Sequence, residues 1–86
     1  MRNIKFDPEA FGEYADWLES NPKIVGRINQ LIVNAARDPF KGIGKPEPLK
    51  GNYQGCWSRR ITQEHRLIYK ADAETIFILK CRGHYD

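Results

Sequence analysis

Residues 56–82 read CWSRRITQEHRLIYKADAETIFILKCR and divide into three strand-like runs, Cys56–Ile61, Arg66–Ala71 and Thr75–Arg82. The links between them, Thr62-Gln63-Glu64-His65 and Asp72-Ala73-Glu74, are short and polar, and links of this length join antiparallel neighbours. Upstream, Ile4 and Phe6 alternate with polar residues in a short opening strand that stops at Asp7-Pro8. Asp7 is placed to cap a helix whose first position is Pro8, where a missing N–H is no loss. This helix is expected to run to about Ser20, with Phe11, Tyr14, Ala15 and Leu18 sharing its buried face. Asn21-Pro22 repeats the start signal. Ile24, Ile28, Leu31, Ile32 and Ala35 then follow a 3.6-residue period in a second helix that should end before Pro39.

Between the helices and the three strands, residues 39–54 carry three prolines and three glycines. This composition predicts irregular structure, and a long irregular segment in so small a chain points to function. The order β-α-α-β-β-β predicts an α+β fold, with two helices packed on one face of a mostly antiparallel four-stranded sheet. At 86 residues the chain has room for one core, so residues 1–86 are expected to form a single domain.

Composition narrows the class. With 41% hydrophobic and 29% charged residues the chain reads as a soluble globular protein, with no apolar run able to cross a bilayer. The N-terminus lacks the continuous apolar stretch of a secretory signal, so the cytoplasm is the expected location. Cys56 and Cys81 are too few and too widely spaced for a zinc cluster, and are expected to be reduced thiols. No Walker loop, His-Glu-x-x-His, Cys-x-x-Cys or Gly-x-Ser-x-Gly pattern occurs. Neither a metal, a cofactor nor a serine nucleophile is therefore indicated.

The net charge is +3, and its distribution is uneven. Residues 1–40 carry five bases against six acids, whereas residues 41–86 carry nine bases against five acids. A basic half on a near-neutral domain suits a polyanion, although a solvated face has the same composition.

Within that half, Lys45-Pro46-Glu47-Pro48-Leu49-Lys50 sets one carboxylate between two prolines and near two lysines, an arrangement suited to a general base. Arg59 and Arg60 lie in a strand and must point to opposite faces, one toward the helices and one toward the open face. With Arg66 and Arg82 they can gather guanidinium groups suited to phosphate, or they can pair with Glu64, Asp72 and Glu74. His65 reads as a turn residue. His84-Tyr85 joins an imidazole that can titrate near neutrality to a ring that can stack a base.

The segments Asn21-Pro22-Lys23-Ile24-Val25, Pro39-Phe40-Lys41-Gly42-Ile43-Gly44-Lys45-Pro46-Glu47-Pro48-Leu49-Lys50, Trp57–Tyr69 and Cys81-Arg82-Gly83-His84-Tyr85 together resemble the YoeB toxin family. That family belongs to the wider RelE/ParE superfamily of toxin–antitoxin systems. The resemblance covers essentially the whole chain and implies a RelE-like fold. It also implies a metal-independent endoribonuclease that enters the ribosomal A site, cleaves messenger RNA there and so inhibits translation. A YefM-type antitoxin would hold it in check, and a homodimer is the implied assembly; no membrane is involved.

Carried over residue by residue, the family's catalytic glutamate falls on Glu47, its phosphate-binding arginine on Arg66, and its C-terminal pair on His84 and Tyr85. Lys50 and Arg60 match further basic positions near the scissile phosphate, and Arg59 and Lys45 complete the expected phosphate-binding set. Gly83 stands where a bulkier residue is usual, which predicts a more mobile tail. Asp86 adds carboxylates beyond the usual terminal tyrosine. Two other classes fit parts of this pattern, a ParE-like toxin that binds DNA gyrase and a basic RNA-binding module. Pure binding requires neither Glu47 nor His84, so the pair argues against the ParE-like reading, while tight ribosome binding that leaves the message intact would single out the RNA-binding module.

Overall fold

Asp7 starts the first helix by accepting a hydrogen bond from the Glu9 amide at 3.1 Å, with Pro8 following in the first turn. The computed structural model describes residues 1–84. Its elements in chain order are β1 (Asn3–Phe6), α1 (Pro8–Ser20), α2 (Pro22–Arg37), β2 (Glu47–Pro48), a 3-10 turn (Gly51–Tyr53), β3 (Trp57–Arg60), β4 (Arg66–Ala71) and β5 (Thr75–Lys80). The strands form one sheet in the order β1-β5-β4-β3-β2, with β1 parallel to β5 and the other pairs antiparallel. No helix among the described residues is long and apolar enough to cross a membrane.

The α+β arrangement is the expected one, with five strands in place of four. The additional strand is β2, in a segment whose composition predicts irregular structure. Prolines at 46 and 48 favour extended backbone, and β2 is an edge strand, where proline's missing N–H leaves no ladder position empty. It pairs with β3 in the register Glu47↔Ser58 and Pro48↔Trp57, continued by a Leu49 amide bond to the Cys56 carbonyl at 2.9 Å.

Helix α2 buries Val25, Ile28, Leu31, Ile32, Ala35 and Ala36, so its apolar period translates directly into packing. These residues meet Leu67 and Tyr69 of β4 and Ile76 and Ile78 of β5 in the core. Asn21 precedes α2 as expected but makes no side-chain cap bond. Its main chain serves both helices instead, donating to the Trp17 carbonyl and accepting from the Ile24 amide.

In α1 the phase of the buried stripe differs from expectation. Ala10 and Trp17 are buried, whereas Phe11 and Leu18 are 58% and 59% exposed. The cause is polar: the Trp17 indole donates to the Cys81 carbonyl at 2.9 Å, and Glu13 on the same stripe accepts from the Cys81 amide at 2.8 Å. Apolar periodicity is blind to a stripe that carries a glutamate. Against this helix Cys81 is fully buried, and burial, with Glu13 nearby, pushes its thiol up to about 12.

Arg59 is 0% exposed, which removes it from the expected phosphate-binding set. All five of its N–H groups are engaged. Nε donates to the Tyr69 hydroxyl at 2.9 Å, and Nη1 to the Asn34 side-chain carbonyl and, at 3.1 Å, to the Ile43 carbonyl. Nη2 donates to the carbonyls of Asp38 and Lys41 at 2.7 and 2.8 Å. The Tyr69 hydroxyl in turn donates a hydrogen bond to the Pro39 carbonyl at 2.6 Å. Burial raises the Tyr69 pKa, with the Arg59 hydrogen bond and charge opposing, so the phenol stays a donor at neutral pH.

Glycine is required where this loop crosses the arginine. At Gly42 (φ +120°) a Cβ would run into the Asn34 side chain, and at Gly44 (φ +79°) it would lie 2.6 Å from Leu31 Cδ2 and 3.1 Å from Arg59 Cβ.

Two predictions follow from this packing. Arg59→Ala leaves the acceptors of loop and helix without their donor, and is expected to lower the free energy of unfolding by more than about 3 kcal/mol in urea titration. A loss under about 1 kcal/mol would contradict the structural role given to Arg59. Cys81 should stay unmodified by iodoacetamide at pH 8 in the folded protein and label only in denaturant, whereas the half-buried Cys56 labels first. Mass spectrometry of the peptides reads the order.

Candidate active site

Partner residues across antiparallel strands share a face, and this rule assembles the site. Glu47 of β2 stands opposite Ser58 of β3, Ser58 opposite Ile68 of β4, and Arg60 opposite Arg66. These residues project from the sheet face away from the helices. Trp57, Arg59, Leu67 and Tyr69 alternate with them and project toward the core.

A cleft of about 490 Å³ opens on that outer face, lined by Glu47, Pro48, Leu49, Lys50, Ser58, Gln63, Arg66 and His84. Four residues expected from sequence therefore meet in one cleft: a carboxylate, two cations and an imidazole. Glu47 and His84 are exposed, and Ser58 is buried. With Lys50 and Arg66 against the single carboxylate, the lining has a cationic excess suited to an anionic ligand.

Each group is positioned by a different part of the chain. Glu47 is fixed by the two-residue ladder of β2 and its flanking prolines. Arg66 folds back on the hairpin turn before it, its Nη1 donating to the carbonyls of Thr62 (2.6 Å), Gln63 (3.0 Å) and His65 (3.1 Å). The turn itself is closed by Thr62, whose hydroxyl accepts from the amides of Glu64 and His65 at 3.2 and 3.1 Å.

His84 arrives from the other end of the chain. The Gly83 carbonyl accepts from the Arg66 amide at 2.8 Å, and the Gly83 amide donates to His65 Nδ1 at 2.8 Å. Gly83 adopts φ +76°, a conformation natural to glycine. Both of its polar groups are hydrogen-bonded.

The remaining expected residues lie elsewhere. Arg60 is exposed on the same face beside Arg66, outside the cleft lining. Lys45 is exposed in the turn that leads into β2 and takes φ +52°, a left-handed conformation that costs a non-glycine residue energy. Arg59 is internal. Arg82 lies with its guanidinium 4.7 Å from the Trp17 ring centroid. Tyr85 and Asp86 lie outside the described residues. Among the described residues no three His, Cys, Asp or Glu side chains are grouped to hold a metal ion.

Ser58 and Gln63 enter the cleft without having been singled out in sequence. Strand alternation holds the signal for Ser58: once Arg59 faces the core, its neighbour must face the cleft. Gln63 carries no such signal, because its place follows from the turn geometry.

Residues 6–85 match the family described as YoeB-like toxin of bacterial type II toxin–antitoxin system. Toxin YoeB of Mycobacterium bovis is 51% identical over 85 residues, covering 99% of this chain and 100% of its own. Among solved structures, the YoeB–YefM complex from Staphylococcus aureus superposes with a TM-score of 0.88 at 45% identity, covering 99% of both chains. The YoeB dimer from Staphylococcus aureus superposes with a TM-score of 0.90 at 45% identity, covering 98% of both. With its RelE-like α+β fold, the chain belongs to the family of YoeB-like toxins of bacterial type II toxin–antitoxin systems.

Proposed function

We propose that this toxin is an endoribonuclease that cleaves messenger RNA in the ribosomal A site by attack of the RNA's own 2′-hydroxyl. The observation that carries this reading is the meeting of Glu47, His84, Lys50 and Arg66 in one cleft. RNA supplies the nucleophile, so the protein must provide a base for the 2′-hydroxyl, cations for the phosphorane and an acid for the 5′-oxygen. Glu47 takes the proton, Arg66 and Lys50 stabilise the charge that accumulates on the non-bridging oxygens, and His84 protonates the leaving group. No step in this sequence calls for a bound metal. The products are a 2′,3′-cyclic phosphate and a 5′-hydroxyl.

Arg66 suits its role because its guanidinium is already oriented by three carbonyls, so little rotamer freedom is lost when phosphate arrives. Arg60 and Lys45 extend the cationic surface beyond the cleft and serve binding rather than chemistry. Tyr85 is assigned to position or stack a nucleotide. The ribosome orients the message, which contributes through placement of the reacting atoms. A YefM-type antitoxin is the expected inhibitory partner and a homodimer the expected assembly, in line with the Staphylococcus aureus relatives.

Glu47→Ala and His84→Ala should each reduce message cleavage in a reconstituted translation reaction by about 10²–10⁴-fold. Co-sedimentation with ribosomes should persist in both. Primer extension on a defined message reads the cleavage, and wild-type cutting by both variants would refute the acid–base assignment.

A further inference from the structure

We propose that His65 is a positioning residue for His84, acting through the Gly83 amide and not by touching RNA; this rests on the nuclease reading above. His65 does not line the cleft, yet its Nδ1 accepts the Gly83 amide hydrogen at 2.8 Å, one residue before His84. In that bond the imidazole accepts at Nδ1. The next residue, Arg66, receives the other half of the clamp, its amide donating to the Gly83 carbonyl at 2.8 Å. Consecutive residues at the start of β4 thus grip one peptide of the tail by both its donor and its acceptor. The His65 carbonyl is also one of the three acceptors that orient the Arg66 guanidinium, so the phosphate cation and the imidazole share an anchor at His65.

The clamp is braced from behind. The Trp17 ring meets His65 edge-on with centroids 4.8 Å apart, and its indole N–H holds the Cys81 carbonyl. Glu13 holds the Cys81 amide, and the Arg82 guanidinium lies over the Trp17 ring. Residues 81–83 are therefore tied to α1 and to the start of β4 before the chain reaches His84. Within this arrangement His65 supplies the side-chain acceptor for the Gly83 amide. Its ring against Trp17 and its acceptor nitrogen are separable properties, which makes the proposal testable.

His65→Phe keeps an aromatic ring against Trp17 and removes the acceptor. His65→Asn removes the ring and keeps an acceptor at the Nδ1 position. Wild type, His84→Ala and both His65 variants are compared for cleavage at saturating ribosomes, for ribosome affinity and for thermal midpoint. Gly83 amide exchange is followed by NMR in the same proteins.

His65→Phe is expected to lose about 10–100-fold in cleavage rate with ribosome affinity retained, as a displaced reacting group would. Gly83 exchange should accelerate in that variant, and His65→Asn should restore both the protection and most of the rate. Should His65→Phe fail to fold, His65→Gln takes its place with the same expectation, because its acceptor lies one bond too far out. Wild-type cleavage by the acceptor-less variant, equal loss in His65→Asn, or unchanged Gly83 exchange would each overturn the proposal. Absence of cleavage by the wild-type protein would instead defeat the nuclease reading, and Gly83 exchange would still decide whether His65 holds the tail.

Discussion

The rest of the structure depends on one buried cation. Arg59 enters the interior from β3 and is met there by five oxygen atoms, none of them a carboxylate. Desolvating a guanidinium costs several kcal/mol, and only a full set of well-directed acceptors offsets it. The loop after α2 supplies three of those acceptors from its main chain, Asn34 and Tyr69 the others. A loop with few apolar contacts is thereby given a fixed course. That course ends at β2, which carries Glu47 to the sheet edge opposite Ser58. A positive charge that reads in sequence as a phosphate ligand thus works one step removed, on the backbone that places the carboxylate.

This changes the meaning of the basic C-terminal half. Arg59 is internal, and Lys80 forms a surface ion pair with Glu9 at 3.3 Å. Such an exposed pair contributes little to stability. The cations that remain on the outer sheet face near the cleft are fewer than the charge count suggests, but they are concentrated: Lys50 and Arg66 in the lining, Arg60 beside them. Local density, more than total charge, gives a face its attraction for phosphate. The cleft also joins distant parts of the chain, with Glu47 from the edge strand, Arg66 from a central strand and His84 from the tail. Glu47 is held by the β2 ladder, whereas Arg66 and His84 are positioned together by the turn before β4.

Much of this was legible in the sequence, and the failures share a cause. The start of α1 at Asp7-Pro8, the apolar period of α2 and the three alternating runs from Trp57 onward are local signals, and local signals survive folding. Glu47, Arg66, Lys50 and His84 stand out by residue type, the resemblance supplies their roles, and the structure brings them together. Three features were hidden because tertiary polar contacts decide them. The phase of α1 turns on Glu13 and Trp17 reaching Cys81. Strand β2 exists because β3 offers it an edge. Alternation showed that Arg59 and Arg60 diverge, but only the carbonyls of the loop identify which one goes inside. His65 read as a turn residue, and it is one; its bond to Gly83 spans eighteen positions that no local pattern connects.

The central claim is that a carboxylate and an imidazole cut RNA by way of its 2′-hydroxyl. The end groups of message fragments from a translation reaction containing the purified toxin test it most directly. The account predicts 5′-hydroxyl ends, resistant to ligation until treated with polynucleotide kinase, paired with 2′,3′-cyclic phosphates, and no cleavage where the 2′-hydroxyl at the cut site is replaced by hydrogen. Fragments with 5′-phosphate and 3′-hydroxyl ends, or cleavage that persists at the 2′-deoxy position, would contradict it.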